Sequence, residues 1–518
     1  MNAAHTTRLR LGLCLSVFLC SSLLFFYRLA DRELWSSHEA RAAQNAQSML
    51  DSGDWLLPRL YDGQVELQKP PLYYWLVAAL GRLRGGSVDA WAVRWPAALA
   101  ALGTVLLLIA ALAARGRWVA GIIAGLVLAT SQHFVWIART GRLDVPLTLT
   151  VAIAVLGLHA RCRVAWIAGW AAIATGVLLK GPIAVALPLA ILTGDAALAR
   201  ILVGYHRRRV VPMVACGVSL VLLLALPWFV AAHFRTDGEF TRAFFWHHHV
   251  ERALGGSDTL AVHPWWTYVV RWLIDPLPWS VFLIPVAWFS VRSSWLREDA
   301  VARLGVAWIL AGTALLSASQ FKRADYLLPV YPGMALVLGS LVDWRIENRG
   351  LRLAGRESSF RAARRLALGV HAVAGLAAIV GVAACHTIIP RLDADRSKAA
   401  FAAAIRKAAP RPEMVLFFRV EDHLLAFQLG SPVHTLLEWE NLDVWAGRPD
   451  SSTIVMPAKC AAEWRQYISS GTLEIVLRYT DRTERRRPRD LVVMKTGRRH
   501  PAADGSDPRR STLAARRP

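Results

Sequence analysis

The stretch AALAALGTVLLLIAALAARGR, residues 97–117, decides the class of this protein. Its apolar part carries no charged side chain and is long enough, as a helix, to cross the roughly 30 Å hydrocarbon core of a membrane. It ends at Arg115 and Arg117, and arginines in such a position are typical of the cytoplasmic side. The stretch therefore predicts a membrane-spanning helix and the direction in which it runs.

Apolar windows of this kind recur along most of the chain. They cover residues 10–29, 91–114, 118–137, 143–160, 164–179, 182–199, 210–234, 273–291, 301–318, 326–343 and 366–389. The first lacks a small-residue cleavage site and is followed by many others, so we expect a retained helix rather than a signal peptide. The pattern predicts an all-α polytopic membrane bundle of about 11–13 transmembrane helices.

The composition is consistent with a membrane protein. The chain has 518 residues, of which 55% are hydrophobic, and a formal net charge of +23. Such a charge can mark a nucleic-acid-binding protein, but here many lysines and arginines flank the apolar windows or lie in the last stretch of the chain. We therefore attribute the charge to membrane topology and contact with anionic membrane lipids, and expect no nucleic-acid partner. The six cysteines form no CxxC pair, which indicates neither a disulfide framework nor a zinc finger.

Basic residues mark alternate connections between the windows. They are Arg8 and Arg10, Arg115 and Arg117, Arg161 and Arg163, Arg207 to Arg209, Arg292 and Arg297, and the run from Arg345 to Arg365. By the positive-inside rule these connections are cytoplasmic, so the N-terminus is expected inside and everything after about residue 390 outside. Two long outer connections, 30–90 and 235–272, would roof a cavity.

These patterns divide the chain into three regions. Residues 1–390 are expected to form the membrane module, and residues 391–494 a small α/β domain on the outer face, in the periplasm or outside the cell. The evidence for that domain is an Ala-rich helical stretch at 396–408 and β-rich runs at 414–420, 453–456, 473–479 and 491–494. The basic tail 495–518 is expected to be disordered.

Several cations are expected on the outer side, against the positive-inside pattern. They are Lys69, Arg139, Arg142, Lys180, Arg252, Lys322 and Arg323. Any one of them could be a side chain that snorkels to the interface, but together they suit an anionic headgroup, above all a lipid phosphate. Carboxylates accompany them, namely Asp31, Glu33, Glu39 and Asp144. A carboxylate at the mouth of a cavity can act as a general base, although Asp144 also stands where a helix N-cap is expected.

Short motifs occur in a fixed order along the membrane module. The first outer loop contains Ser37-His38-Glu39-Ala40-Arg41 and Gln68-Lys69-Pro70-Pro71-Leu72-Tyr73-Tyr74-Trp75. Later motifs are Arg142-Leu143-Asp144, Leu179-Lys180-Gly181-Pro182, Phe244-Phe245-Trp246-His247-His248-His249 with Arg252, Phe321-Lys322-Arg323 and Tyr326-Leu327-Leu328-Pro329. In this order, over residues 10–345, they resemble the motifs of bacterial aminoarabinose transferases and their protein mannosyltransferase relatives, whose fold is called GT-C.

The resemblance implies a membrane glycosyltransferase of the bacterial inner (plasma) membrane. Such enzymes move a sugar from a polyprenyl (undecaprenyl) phosphate carrier to an acceptor at the outer face. Here the acceptor would be lipid A, another glycolipid, a glycan or a protein. A base removes the proton of the acceptor hydroxyl, which attacks the anomeric carbon with inversion, and fixed cations stabilise the leaving phosphate. Because lysine and arginine can do this, neither a metal nor another cofactor is expected.

The resemblance also assigns roles to particular side chains. It makes Lys69 the main ligand of the donor phosphate, grouped with Arg41, Tyr326 and Lys322. It places four side chains in the substrate cavity, namely Lys180, His248, Arg252 and Arg142. The adjacent histidines 247–249 point in different directions on any regular element, so they are not expected to ligate one metal ion together.

The general base is left open by the sequence. Relatives usually show an Asp-Glu pair where this chain has His38-Glu39, so the base is Glu39, His38 itself or a nearby carboxylate such as Asp31. Asp144 matches a functionally important acid of the family and is a further candidate. Gln68 stands where many relatives carry Glu, which removes one carboxylate and one possible metal ligand.

A transporter or flippase of lipid-linked glycans is the alternative from another class. It would predict charges deep inside spans and discontinuous paired helices. The cations and carboxylates of this chain cluster instead at one predicted face of the membrane, which favours an enzyme.

Overall fold

The computed structural model describes residues 3–160, 162–204, 211–251, 262–352, 356–409, 415–430, 432–448, 451–481 and 489–497. The chain divides into two compact units. The membrane unit comprises Met1–Leu34, Arg41–Leu60 and Val65–Leu392, and the C-terminal unit comprises Trp35–Ala40, Tyr61–Gln64 and Asp393–Pro518. Most of the tail that we expect to be disordered lies outside the described residues.

Helices form nearly all of the regular structure up to residue 396. Their bounds are Ala3–Phe26, Ser37–Ser52, Leu72–Leu83, Ala90–Ala113, Trp118–Ala129, Gln132–Ala138, Asp144–His159, Arg163–Lys180, Ile183–Val203, Val211–Arg235, Glu239–Thr241, Thr267–Ile274, Leu283–Arg292, Trp295–Glu298, Ala300–Ser317, Tyr331–Arg352 and Arg356–Arg396. A π-helix spans Arg242–Glu251, and 3-10 helices span Trp279–Phe282 and Ala324–Val330.

Eight helices among the described residues are long and apolar enough to cross a membrane. Two further pairs qualify together but bend at a short break: Trp118–Ala129 with Gln132–Ala138, by 68°, and Thr267–Ile274 with Trp279–Arg292, by 108°. Asp144–His159 is a shorter apolar helix. These eight helices, two bent pairs and one short helix coincide with the eleven apolar windows of the sequence, so the predicted all-α membrane bundle is confirmed.

The break before Gln132–Ala138 frees backbone donors that another segment satisfies. The N–H of Gln132 donates to the carbonyl of Leu277 at 2.8 Å, and the N–H of His133 donates to the carbonyl of Asp275 at 3.1 Å. An unpaired N–H group is costly at membrane depth, so these bonds stabilise the bent backbone. They also bring the side chains of His133 and Asp275 close together, 4.0 Å apart.

Two buried arginines secure the end of the first helix, Ala3–Phe26. Arg139 donates to the carbonyls of Leu24 and Tyr27, both at 2.8 Å. Arg94 does the same with three carbonyls just beyond that helix. The last carbonyls of a helix have no intrahelical partner, so cations suit this position. Arg139, which the sequence groups with the outer cations, therefore contributes to the packing of the bundle.

The C-terminal unit is built on a five-stranded mixed sheet. Its strands are β1 (Val415–Phe418), β2 (Val433–Leu436), β3 (Thr453–Pro457), β4 (Thr472–Asp481) and β5 (Arg489–Gly497), in the order β2-β1-β3-β5-β4. Strand β1 is parallel to β2 and β3, whereas β5 is antiparallel to β3 and β4.

Helices cover both faces of this sheet. The described helices are Ala399–Ala408, His423–Leu429, Trp439–Ala446 and Ala458–Glu463. Successive residues of β1 point to opposite faces of the sheet and so enter different hydrophobic cores. Phe417 packs in the core that contains Phe401, and Phe418 packs in the core that contains Trp439. A sheet buried on both faces by helices is an α/β domain, as the sequence predicts.

Candidate functional site

Asp144, the first residue of the helix Asp144–His159, is buried with only 3% of its surface exposed. Its Oδ1 lies 2.5 Å from Nζ of Lys180, and its Oδ2 lies 3.3 Å from Nε of Arg142. No side-chain capping bond forms at the start of this helix, where Leu143 is the N-cap. The carboxylate thus pairs with two cations, which is what a buried charge requires.

Lys180 approaches Asp144 from the end of another helix, Arg163–Lys180. The helix ends there because Gly181 adopts a φ of +76°, a conformation that favours glycine. The ammonium group also lies 4.2 Å from the ring centroid of Tyr326, a cation–π contact. Lys69 is close enough to act electrostatically on Asp144.

Arg142 connects Asp144 to a second carboxylate, Asp325, which sequence reasoning missed. Its Nη1 contacts Oδ2 of Asp325, and both side chains are only 11% exposed. The guanidinium of Arg323 lies 3.8 Å from the same oxygen and is more exposed. Asp325 lies in the 3-10 helix Ala324–Val330, one residue before Tyr326.

His133 contacts the carboxylate oxygen of Asp325 that does not pair with Arg142. Its Nε2 lies 3.2 Å from Oδ1 of Asp325, and its Nδ1 lies 3.1 Å from the hydroxyl of Tyr331. Asp275 approaches the same ring at 4.0 Å and accepts a hydrogen bond from Arg271 at 3.4 Å. We refer to Arg142, Asp144, Lys180, Arg323, Asp325 and His133 as the Asp144 cluster.

Arg41, a predicted phosphate ligand, is engaged by a carboxylate that sequence reasoning also missed. Glu66 is 2% exposed and accepts from Nη2 of Arg41 at 2.8 and 3.0 Å. The backbone N–H of Gln68 donates to the same carboxylate at 2.9 Å. The Gln68 amide, in the orientation that satisfies its hydrogen bonds, accepts from Arg41 at 3.1 Å. The pKa of the neighbouring Tyr74 phenol is raised, mainly by burial and secondly by the charge of the Glu66 carboxylate.

Glu39 has a structural task at the start of the helix Ser37–Ser52. Its carboxylate accepts from the backbone N–H of Trp35 at 2.8 Å, and its own N–H donates to the hydroxyl of Ser36 at 3.2 Å. This reciprocal arrangement is close to a capping box, and Glu39 is fully buried in it. His38, beside it, is half-buried. The choice of base between these two residues stays a prediction.

Three other predicted site residues either make separate contacts or lie outside the described part of the chain. Lys322 is buried, and its ammonium donates to the carbonyls of His263, at 3.1 Å, and of Ser319. The backbone of His248 belongs to the π-helix Arg242–Glu251, but its side chain is outside the described part of the chain. Arg252 is outside the described residues altogether.

A bundle of membrane helices, a small α/β domain and a mixed cluster of cations and carboxylates at helix ends define a polytopic membrane protein of the GT-C type. The crystal structure of ArnT from Cupriavidus metallidurans bound to undecaprenyl phosphate superposes with a TM-score of 0.72, covering 95% of this chain and 98% of that one at 19% identity. The apo oligosaccharyltransferase of Archaeoglobus fulgidus gives a TM-score of 0.54 over 88% of this chain and 71% of that one, at 14% identity. These likenesses establish the fold.

Comparison of the amino-acid sequence with known proteins identifies a matching family model and similar proteins. Residues 13–238 match the family model described as dolichyl-phosphate-mannose-protein mannosyltransferase. The undecaprenyl phosphate-alpha-4-amino-4-deoxy-L-arabinose arabinosyl transferase of Pseudomonas aeruginosa LESB58 is 32% identical over 346 residues, which is 64% of this chain and 60% of the relative. The corresponding transferase 2 of Pseudomonas fluorescens Pf0-1 is 31% identical over 67% of this chain and 63% of the relative.

The resemblance predicted from the motifs is thereby confirmed. The chain is similar to the aminoarabinose transferases and shares their fold. It matches about 60% of the length of these relatives. The names of these relatives describe transferases.

Proposed function

We propose that this chain is an inverting glycosyltransferase that moves a sugar from undecaprenyl phosphate to an acceptor at the outer face of the bacterial inner membrane. The observation that carries the proposal is the Asp144 cluster, in which Arg142 and Lys180 converge on one buried carboxylate. Cations fixed in this way suit a phosphate leaving group. The similarity to transferases that use an undecaprenyl phosphate-linked sugar agrees with it.

The cations stabilise charge that develops during the reaction. The acceptor oxygen forms a bond to the anomeric carbon as the bond from that carbon to the phosphate oxygen breaks. The bonding electron pair leaves with the phosphate, whose charge grows, and the hydroxyl proton passes to the general base. Lys69 and Lys180, assisted by Arg41 and Tyr326, are proposed to face the growing charge, so no divalent metal is needed.

The base is proposed to be Glu39 or His38, with Asp144 in a different role. A carboxylate held by two cations is a weak proton acceptor, because each cation favours its charged form. Asp144 therefore serves better as the anion that aligns Arg142 and Lys180. Substitution of each candidate separates these roles.

The proposed orientation puts the N-terminus in the cytoplasm and residues 391–494 on the outer side. It rests on the alternation of arginine-rich connections and on an odd number of spans. Reporter fusions after residue 400 test it, and a cytoplasmic signal there would contradict it. In this arrangement residues 1–390 are the proposed catalytic module, and residues 391–494 lie on the periplasmic side of the membrane.

The acceptor is proposed to be a lipid, a glycan or a protein, with lipid A as the first to test. Relatives named for aminoarabinose transfer make that sugar the first donor to try. His38 and Gln68, which replace acids expected from the family motifs, are reasons to test other sugars as well. Mass spectrometry of lipids and glycoproteins from a deletion strain would identify the missing product.

Transfer by purified protein in nanodiscs tests the function directly. With an undecaprenyl phosphate-linked sugar and lipid A, wild type should form a glycosylated product. Lys69→Ala should reduce the rate by about 100-fold, because one fixed partner of the phosphate is lost. Lys407→Ala, which removes an exposed lysine of the C-terminal unit, is the control and should leave the rate unchanged. Equal rates for wild type and Lys69→Ala would refute the phosphate assignment.

A further inference from the structure

Asp325 is a buried carboxylate that the proposed reaction does not require. Only 8% of its surface is exposed, and its Oδ2 pairs with Arg142. Arg142 is the cation whose other contact, at 3.3 Å, is Asp144. Asp325 therefore occupies donors of a guanidinium that stands within the proposed phosphate-binding group.

His133 keeps Asp325 in this position. In the tautomer that satisfies both contacts, Nε2–H donates to Oδ1 of Asp325 at 3.2 Å, and the Tyr331 hydroxyl donates to Nδ1 at 3.1 Å. The His133 backbone is itself bound to the carbonyl of Asp275. His133 thus binds Oδ1 of Asp325, while Oδ2 of the same carboxylate pairs with Arg142.

The charges of the cluster show what Asp325 changes. Arg142, Lys180 and Arg323 contribute three positive charges, and Asp144 and Asp325 contribute two negative ones, which leaves +1. Without Asp325 the same group would carry +2. Guanidinium and phosphate form strong bidentate pairs, so an unopposed Arg142 would hold a phosphate more tightly. An enzyme that binds its product too tightly turns over slowly.

We propose that Asp325 is a positioning residue that competes with the lipid phosphate for Arg142 and so promotes release of the polyprenyl phosphate product. The proposal rests on the proposed function and adds a determinant of product release to it. Arg142 is shared between Asp325 and the phosphate while the carrier is bound, and it returns fully to Asp325 as the carrier leaves. The competing anion is thus built into the site.

Binding of undecaprenyl phosphate to full-length protein in nanodiscs provides the test. Asp325→Asn should bind this lipid about tenfold more tightly than wild type and show a lower kcat with stronger product inhibition. A purely structural defect would weaken binding instead. Asp325→Glu keeps the charge and should restore an affinity close to that of wild type. Asp275→Asn makes the same chemical change on the other side of His133, away from Arg142, and is the matched control.

A double variant identifies the cation involved. Adding Arg142→Gln to Asp325→Asn should abolish the gain in affinity, because the released guanidinium is gone. A gain that persists in the double variant, or an equal gain in Asp275→Asn, would overturn the competition model. Unchanged or weaker binding by Asp325→Asn would overturn it as well.

Two further outcomes are decisive. If wild type does not bind undecaprenyl phosphate, the proposed function itself fails, which is distinguishable from every result above. If Asp325→Asn does not fold, Asp325→Ser repeats the test with a smaller uncharged side chain. Failure of both to fold would identify a structural ion pair and overturn the proposal.

Discussion

The Asp144 cluster and the ion pairs of Arg117 are built from the same chemical groups but are balanced differently. Arg117 precedes the helix Trp118–Ala129, donates to Asp299 at 3.2 and 2.8 Å and also contacts Asp343. Asp299 in turn accepts from the first N–H groups of the helix Ala300–Ser317, at 2.9 and 3.1 Å. One guanidinium thus joins two carboxylates, and one of these caps a helix.

In the Asp144 cluster the cations outnumber the carboxylates. Arg142 and Lys180 share Asp144, while Arg323 adds a third positive charge beside Asp325. Both groups contain buried ionised side chains, so burial does not distinguish the Asp144 cluster from the ion pairs of Arg117. The Arg117 group has one cation for two carboxylates, whereas the Asp144 cluster has three cations for two. The difference indicates that an excess of positive charge, rather than burial of charge, marks the place where an anionic ligand would bind.

The largest effect on stability is expected from the ion pairs of Arg117. Arg117→Gln leaves two buried carboxylates without their cation, which should lower the free energy of unfolding by about 3–5 kcal/mol. Thermal unfolding in detergent would measure the loss, and Arg115→Gln, at an exposed arginine two residues earlier, is the control. Transfer per folded molecule should stay at the wild-type rate. A lower kcat of Arg117→Gln with unchanged stability would contradict the assignment of these ion pairs to structure rather than to catalysis.

The general base should give the largest effect on chemistry. We expect either Glu39→Gln or His38→Ala to lower kcat by about 1000-fold, and Asp144→Asn by about tenfold, because Asp144 aligns cations rather than accepts the proton. Initial rates at saturating donor would measure this. Asp89→Asn, which alters a plain helix cap, is the control and should leave kcat unchanged. Near-full activity in all three site variants would contradict the mechanism.

The next largest effect on kcat is expected from substitution of Lys180. Lys180→Met keeps most of the side-chain volume but removes the charge that pairs with Asp144, and kcat should fall by about 100-fold. Lys180→Arg restores a cation and should recover part of the rate. If Lys180→Met lost stability but kept its kcat, the Asp144 cluster would be structural like the Arg117 group.

The smallest effect is expected from a carboxylate outside both groups. Asp443 accepts from the backbone N–H and hydroxyl groups of Ser469 and Ser470 at 2.7–2.9 Å. Burial raises its pKa, but the hydrogen bonds from Ser470 and Ser469 outweigh burial, so the pKa lies below the ordinary value. Asp443→Ala should destabilise the C-terminal unit by about 1 kcal/mol.

The pH dependence of Asp443 has a definite sign. Because its pKa is lower in the folded state, its ionised form stabilises the unit above the ordinary Asp pKa of about 3.9. This contribution should be lost as the pH falls through the lowered value. Hydrogen exchange of Trp439–Ala446 at pH 3 and pH 6 would measure it, with exposed Glu474→Ala as the control. Equal pH dependence in wild type and Asp443→Ala would contradict the assignment.

Much of the fold could be predicted because its signals are local. Every apolar window coincides with a helix or a bent pair, since the length needed to cross a bilayer is readable from a single stretch of sequence. Strand β2, Val433–Leu436, was missed because four residues at a sheet edge carry little local signal. The breaks at Thr130–Ser131 and at 275–278 were missed as well, because their backbone donors and acceptors are satisfied by distant segments.

The candidate site was predictable only where motifs exist. Asp144, Lys180 and Arg142 lie in motifs and are brought together by the structure. His133 and Asp325 are 192 residues apart and meet only through folding, so no spacing in the sequence indicates their contact. Glu66 lies two residues before Gln68, and its buried pairing with Arg41 likewise depends on the folded loop.

The two bent helix pairs are joined through the hydrogen bonds from Gln132 and His133 to the carbonyls of Leu277 and Asp275. Helices in a bilayer of unsuitable thickness respond by tilting, at a modest cost for each ångström of mismatch. A tilt of Thr267–Ile274 would therefore pull on the backbone that carries His133, two contacts away from Arg142. Turnover in the proposed reaction is therefore expected to depend on the acyl-chain length of the surrounding lipids.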